Sequence, residues 1–145
     1  MRDAIGGSVN MFFVAVFIAV VSGYLAFSVN YTKAFRMKNK IITTFEQYKG
    51  CEGTTNQSSC NTEIEAYRNN IGYNSDISCE SGWTRGSCYC YKKVLTATKD
   101  ANHSYDEAYY KVKTNIVIDI PVINKIMPHI KALDVSGNTK IIVLR

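Results

Sequence analysis

From Ala4 to Thr32 the chain carries no charged residue, and within that run Met11–Val29 (MFFVAVFIAVVSGYLAFSV) is apolar almost throughout. Wound as an α-helix, nineteen residues at about 1.5 Å each reach roughly 28 Å, the thickness of a bilayer's hydrocarbon core. A secretory signal has a shorter apolar core, about 7–15 residues, and ends at small residues. Phe27-Ser28-Val29-Asn30 offers a poor cleavage site, so the segment reads as a retained anchor. About 115 residues remain, enough for one small domain that buries about 60–65% of its unfolded surface. The expectation is a membrane-tethered small domain rather than a free cytosolic enzyme.

The helix is predicted to continue past the anchor. In residues 31–49 (YTKAFRMKNKIITTFEQYK) apolar side chains recur at Tyr31, Ala34, Phe35, Ile41, Ile42, Phe45 and Tyr48, with Lys and Arg between them. That is one face of a 3.6-residue period. No Pro or Gly interrupts Tyr24–Lys49, and Gly50 is placed to end the helix. One helix from about Ser8 to Lys49 would be roughly 60 Å long. The stripe Ala34, Phe35, Ile41, Ile42 and Phe45 is expected to pack on the following domain. Within the anchor, Ala15, Ala19 and Gly23 are spaced by four, which lets helices approach closely in a membrane.

All five cysteines, Cys51, Cys60, Cys79, Cys88 and Cys90, follow the anchor. They lie in Gly-, Ser-, Asn- and Thr-rich surroundings, CEGTTNQSSC and CESGWTRGSC. Cysteines closing flexible loops in a small domain point to disulfides and an oxidising compartment. Zinc is disfavoured, because Cys88-Tyr-Cys90 lacks the usual two-residue spacer and no second pair completes a ligand set. Residues 88 and 90 of one strand face the same way, so a bond between them is not expected. Cys51–Cys60 is the expected first bridge, with Cys79 bonded to Cys88 or Cys90, and the odd number leaves one thiol over.

The net charge of +5 comes in blocks. Residues 31–50 carry Lys33, Arg36, Lys38, Lys40 and Lys49 against Glu46, and residues 111–145 carry six Lys/Arg against Asp119 and Asp134. Residues 51–110 between them are net negative. Basic residues interleaved with exposed aromatics on one surface, the footprint of a nucleic-acid binder, are not evident, so no nucleic-acid partner is expected. No G-x-S-x-G, H-E-x-x-H, phosphate-cradling Gly loop or C-x-x-C occurs. His103 and His129 fall in expected loops, and Asp106-Glu107 reads as a solvated loop pair. No catalytic residue, cofactor site or metal site is therefore assigned, and the chain is expected not to be an enzyme. Sequons stand at Asn30, Asn56 and Asn102, where chance explains them.

Residues 61–68 (NTEIEAYR) suit a short helix capped by Asn61 or Thr62, inside an otherwise loop-rich stretch from Cys51 to Gly86. Trp83 is expected to anchor a small core. Ser87–Thr98 is β-branched and aromatic. Tyr110–Ile120 alternates, with Tyr110, Val112, Thr114, Ile116, Ile118 and Ile120 on one face, and Pro121 ends it. Val122–Leu133 is expected to hold a helical turn, and Asp134–Leu144 a last strand interrupted near Gly137. The predicted fold class is α+β: a long N-terminal transmembrane helix with an amphipathic extension packed on an antiparallel sheet of about three strands. The expected organisation is a leader-like segment (1–10), a transmembrane helix (11–30), an amphipathic extension (31–50) and a cysteine-bearing head (51–145).

This layout resembles the type IV pilins, and more narrowly the TadE-like pseudopilins of tight-adherence pilus systems. Ala4-Ile5-Gly6-Gly7-Ser8-Val9 is similar to a short prepilin leader ending in Gly. Residues 30–49 are similar to the family's polar helix extension. YKVKTNIVIDIP (110–121) and LDVSGNTKII (133–142) are similar to its paired terminal strands. The resemblance implies leader cleavage at Gly6 or Gly7, a membrane location and contacts with other pilin-like subunits through the N-terminal helix. It also implies a pilus assembly platform as partner and a structural role in a pilus, pseudopilus or surface secretion or conjugation apparatus. The chain departs from the family five residues after the cleavage point, where pilins usually carry Glu and this chain has Met11 or Phe12. The alternative function is a single-pass, disulfide-stapled ectodomain for adhesion, fusion or other binding. A third is a cytosol-facing accessory subunit, which the cations after the anchor favour. The cysteines place the head outside, and that side is the expectation.

Overall fold

The computed structural model describes residues 2–52, 54–98, 106–117 and 132–144. Helix α1 runs without a break over Arg2–Gln47, and α2 spans Thr54–Ile71. Among the described residues five strands follow: β1 (Thr84–Arg85), β2 (Cys90–Ala97), β3 (Asp106–Val117), β4 (Ala132–Asn138) and β5 (Ile142–Leu144). The sheet is antiparallel throughout, in the order β1-β2-β3-β4, with β5 also on β3. The α+β class stands, with more strands than expected. The two-residue β1 was invisible as a pattern, and the last expected strand is two.

That split has a local cause. Strand β4 pairs Lys111 with Asn138, and β5 pairs Ala108 with Ile142, so one more residue is used on the outer strand than on β3. The extra residue makes a bulge at Thr139. Thr139 donates its N–H to the Tyr110 carbonyl at 2.9 Å, and its hydroxyl accepts the Tyr110 N–H at 2.9 Å. Gly137 lies just before the interruption and has a different task. A Cβ there would stand 2.8 Å from Ile42 Cδ1, so the missing side chain lets β4 approach α1.

The period-2 face of β3 is as expected at Tyr110, Val112, Thr114 and Ile116, all buried, and Ala108 extends that face before the expected start of the strand. Asn115, on the opposite parity, is buried too. Against this face α1 presents Ala34, Met37, Ile41, Thr44 and Phe45, all fully buried and spaced by three and four. Two parts of the expected stripe are corrected. Phe35 is 41% exposed, because one residue beyond Ala34 the helix has turned about 100°. Met37, flanked by Arg36 and Lys38, takes the core position instead. Ile42 and Tyr48 pack at the margin of the core, and Phe27 does so too, inside the apolar run. The head thus begins against α1 with no linker after Val29.

The end of α1 is a Schellman motif. Gly50 donates to the Phe45 carbonyl at 2.8 Å and Lys49 to the Glu46 carbonyl at 3.4 Å. The left-handed residue is therefore Lys49 (φ 53°), one before the expected terminator. Gly50 (φ 106°) is still required: a Cβ would stand 2.7 Å from Cζ of Tyr110.

Helix α2 corrects the loop expectation for Cys51–Cys60 and extends the short helix on both sides. Asn61 and Thr62 lie mid-helix, and the Thr62 hydroxyl bonds back to the Ser58 carbonyl at 2.9 Å. Polar composition argued for a loop. The burial of Cys60 and Ile64 against the core outweighs that weak propensity. Trp83 is half-buried beside Lys113, whose Nζ lies 5.9 Å from the ring centroid, and is not a core anchor. Asp106 and Glu107 open β3 rather than a loop. His103, His129, Ile118, Ile120 and residues 122–131 of the turn expected over Val122–Leu133 lie outside the described residues, and Ala132 and Leu133 open β4 instead.

Candidate functional site: an apolar helix joined to a stapled head

Helix α1 changes character along its length. Its large apolar side chains from Val9 to Val29, Phe27 apart, are exposed, from 39% at Val21 to 77% at Met11. The stretch Gly7–Gln47 is long and apolar enough to cross a membrane. An apolar surface of this extent is unstable against water and calls for lipid or other helices. Gly6 and Gly7 lie inside α1, not ahead of it. Ala15 and Ala19 are exposed, and Gly23 is half-buried. A side chain at Gly7 or Gly23 would meet nothing within 4 Å in this chain.

Beyond Val29 the same helix is held by the head. Lys33 Nζ donates to the Gly72 carbonyl at 3.2 Å, and Lys40 pairs with Glu63 of α2 at 2.5 Å. The Lys40 ammonium holds the Glu63 carboxyl below the usual carboxylate range, with partial burial opposing it. Phe45 sits among Tyr89, Tyr91 and Tyr110, with ring centroids at 5.9, 5.1 and 5.2 Å, all edge-on. Such a cluster combines large burial with a preferred ring geometry.

Both expected bridges form. Cys51–Cys60 ties the end of α1 to α2, and Cys79–Cys90 ties the segment after α2 to β2. The choice left open at Cys79 falls on Cys90, and Cys88 is the free thiol, fully buried. Burial pushes the Cys88 thiol up, with Ser87 opposing by a hydrogen bond. That thiol is protonated and shielded, the opposite of a reactive cysteine.

One buried polar knot was missed by the sequence reading. The Tyr73 hydroxyl donates to the Asn115 carbonyl at 2.6 Å, and Ser75 bonds Asn115 Oδ1. These bonds fasten the irregular chain after α2 to the central strand. Burial raises the Tyr73 hydroxyl, so it stays a donor. On the far side of the sheet Lys113 pairs with Glu80 at 2.9 Å and Asp134 at 2.8 Å, and hydrogen bonds to Asp134 and then Glu80 raise its pKa. Among the described residues no three His, Cys, Asp or Glu side chains gather as metal ligands would. No family model, curated protein or solved structure matches the chain.

Proposed function

We propose that the chain is a membrane-anchored, pilin-like structural subunit. Its exposed apolar half-helix packs in lipid and against the equivalent helices of similar subunits, and its disulfide-stapled head stands outside the cell membrane. The observation that carries this is the continuity of α1: one 46-residue helix, bare and apolar at its start and buried in the head at its end. A rigid rod of that kind transmits the position of the membrane helix to the head without a hinge. Partners would be other pilin-like subunits and a pilus assembly platform, and the product a pilus, pseudopilus or surface secretion or conjugation apparatus.

The test has two parts. The intact mass and N-terminal sequence of protein extracted from its native membrane, without reduction, report processing at Gly6 or Gly7. Single cysteines replacing Ala15 and Ala19, in a Cys88→Ser background, report neighbouring helices by crosslinking in the membrane. A new N-terminus and a crosslinked ladder support the subunit. An uncut chain that yields monomer only refutes it and favours the solitary binding module.

A further inference from the structure

Strand β3 runs antiparallel to α1, and two contacts fix their relative height. The Tyr110 ring lies against Phe45, and the Thr114 hydroxyl meets the Ala34 carbonyl at 3.4 Å. Strands β3 and β4 continue past Thr114 to the pair Val117 and Ala132. Three residues of antiparallel strand cover about 10 Å, the height of about seven helical residues. The base of the sheet therefore lies level with about Phe27, and Phe27 packs on the core of the head. That level is below Val29, where the apolar run ends. A helix whose apolar run lies in hydrocarbon thus brings the base of its own head into the headgroup layer.

The surface at that height has the mixed character of a bilayer interface. Leu133 pairs with Ile116, two residues below Thr114, and is 44% exposed. Tyr31, at about the same height on α1, is 46% exposed. The rings of Phe27, Tyr31 and Phe35 follow one another at 6.4 and 6.3 Å. Tyrosine suits this depth because its ring is apolar and its hydroxyl is wet. Cations come next. Side chains on a helix lean toward its N-terminus, here toward the apolar run. Lys38 does so: its Nζ lies 4.2 Å from the centroid of the Phe35 ring. Arg36 is exposed, with no partner among the described residues. It stands seven residues, about 10 Å, beyond Val29. Leaning back by about one turn, its guanidinium reaches about 5 Å above the hydrocarbon edge. The headgroup layer is about 5–8 Å deep on each side, so the guanidinium lies among the phosphates.

Charge and apolarity together select the occupant. Helix α1 has no carboxylate between Asp3 and Glu46. Glu63 and Asp134, which flank the junction, are paired with Lys40 and Lys113. Lys33 and Lys40 are bonded within the head, which leaves Arg36 and Lys38 for an outside anion. A dissolved acidic peptide would satisfy those cations but not the exposed Tyr31, Phe35 and Leu133 beside them. An anionic lipid offers its phosphate to the cations and its glycerol and acyl region to the rings.

We propose that the base of the head is seated in the headgroup layer, where Arg36 and Lys38 hold the phosphates of anionic lipids. This rests on reading α1 as a membrane span. The test uses the full chain in vesicles of equal parts phosphatidylglycerol and phosphatidylcholine, with trace spin-labelled lipid followed by electron paramagnetic resonance. The expected result is a preference for phosphatidylglycerol of about two- to fivefold. It should fall toward one in about 1 M salt. Arg36→Gln with Lys38→Gln should abolish it with the thermal unfolding curve unchanged, whereas Lys49→Gln, at the far end of α1, should leave it intact. A nitroxide on Leu133→Cys, with Cys88 buried and unlabelled, should be relaxed more by oxygen than by a water-soluble nickel chelate. On Leu95→Cys, exposed at the opposite end of the sheet, that order should reverse. Where the Leu133 variant does not fold, the lipid preference of the unsubstituted chain decides. No preference for the anionic lipid, a preference untouched by the double substitution, or an aqueous label at residue 133 in protein that resists alkaline carbonate overturns the seat alone. Extraction by carbonate overturns the membrane span, and the seat with it.

Discussion

The junction between α1 and the head can be probed by two phenylalanines ten residues apart. Phe45 is fully buried among three tyrosines. Phe35 is 41% exposed, stacked 6.3 Å from Tyr31 with Lys38 Nζ 4.2 Å from its ring. Phe45→Ala removes a buried ring and leaves a cavity whose lining aromatics cannot close it, at a cost of about 3–5 kcal/mol. For a head of this size, each kcal/mol moves Tm by about 4–8 °C, so the expected fall is roughly 15–30 °C. Phe35→Ala loses a surface stack and an exposed cation–π contact, about 0.5–1 kcal/mol, and a fall below about 8 °C. Phe45→Leu, which keeps most of the volume, should lie between them and guards against complete unfolding of the alanine variant. The assay is thermal unfolding of the full chain in nanodiscs without reductant, followed by Trp83 fluorescence and near-ultraviolet dichroism, which report the head rather than the membrane helix. Equal shifts for Phe35→Ala and Phe45→Ala would refute the assignment of the packed face.

Three further outcomes follow from the same geometry. Gly50→Ala should destabilise the head by about 2–4 kcal/mol in a denaturant titration, since it combines a positive φ with a clash on Tyr110, whereas Lys49→Gly should be neutral or stabilising by up to about 1 kcal/mol. Cys88 should resist N-ethylmaleimide in the native head at pH 7.5 and take one label after denaturation without reductant, as mass spectrometry would show; label on the native protein contradicts its burial. The folded pKa of Glu63 lies below its unfolded value, so its pairing with Lys40 stabilises the head above about pH 4.3 and is lost as pH falls through the folded value. Glu63→Gln should remove that part of the acid sensitivity in a Tm-against-pH series.

Features governed by local period were legible in the sequence. The uncharged run gave α1, and alternation from Tyr110 gave the buried face of β3 and thus the layer that receives the helix. What escaped was decided by contacts distant in sequence. Met37 lies between two cations and reads as surface, yet only its angle on the helix matters. Asn115 reads as an outward residue of an alternating strand, but Tyr73 and Ser75 cover it from forty residues away. The helix in CEGTTNQSSC is stabilised by Cys60 and Ile64 on the core, which no local propensity encodes.

The cations that follow the anchor argued for a cytosolic head, and the cysteines argued for an external one. The fold supplies those cations with another reason to be present. Lys33 bonds the Gly72 carbonyl and Lys40 pairs with Glu63, so two of the four nearest cations serve the junction between α1 and its own head. The charge rule is also strongest for loops shorter than about 60 residues, and larger domains cross largely regardless of it. The segment after the anchor exceeds that length. Two bridges joining separate segments of the head, by contrast, persist only where thiols are oxidised. The bridges bear on the folded head itself, whereas the charges bear on a short flank with a structural task, and this supports the proposed external side.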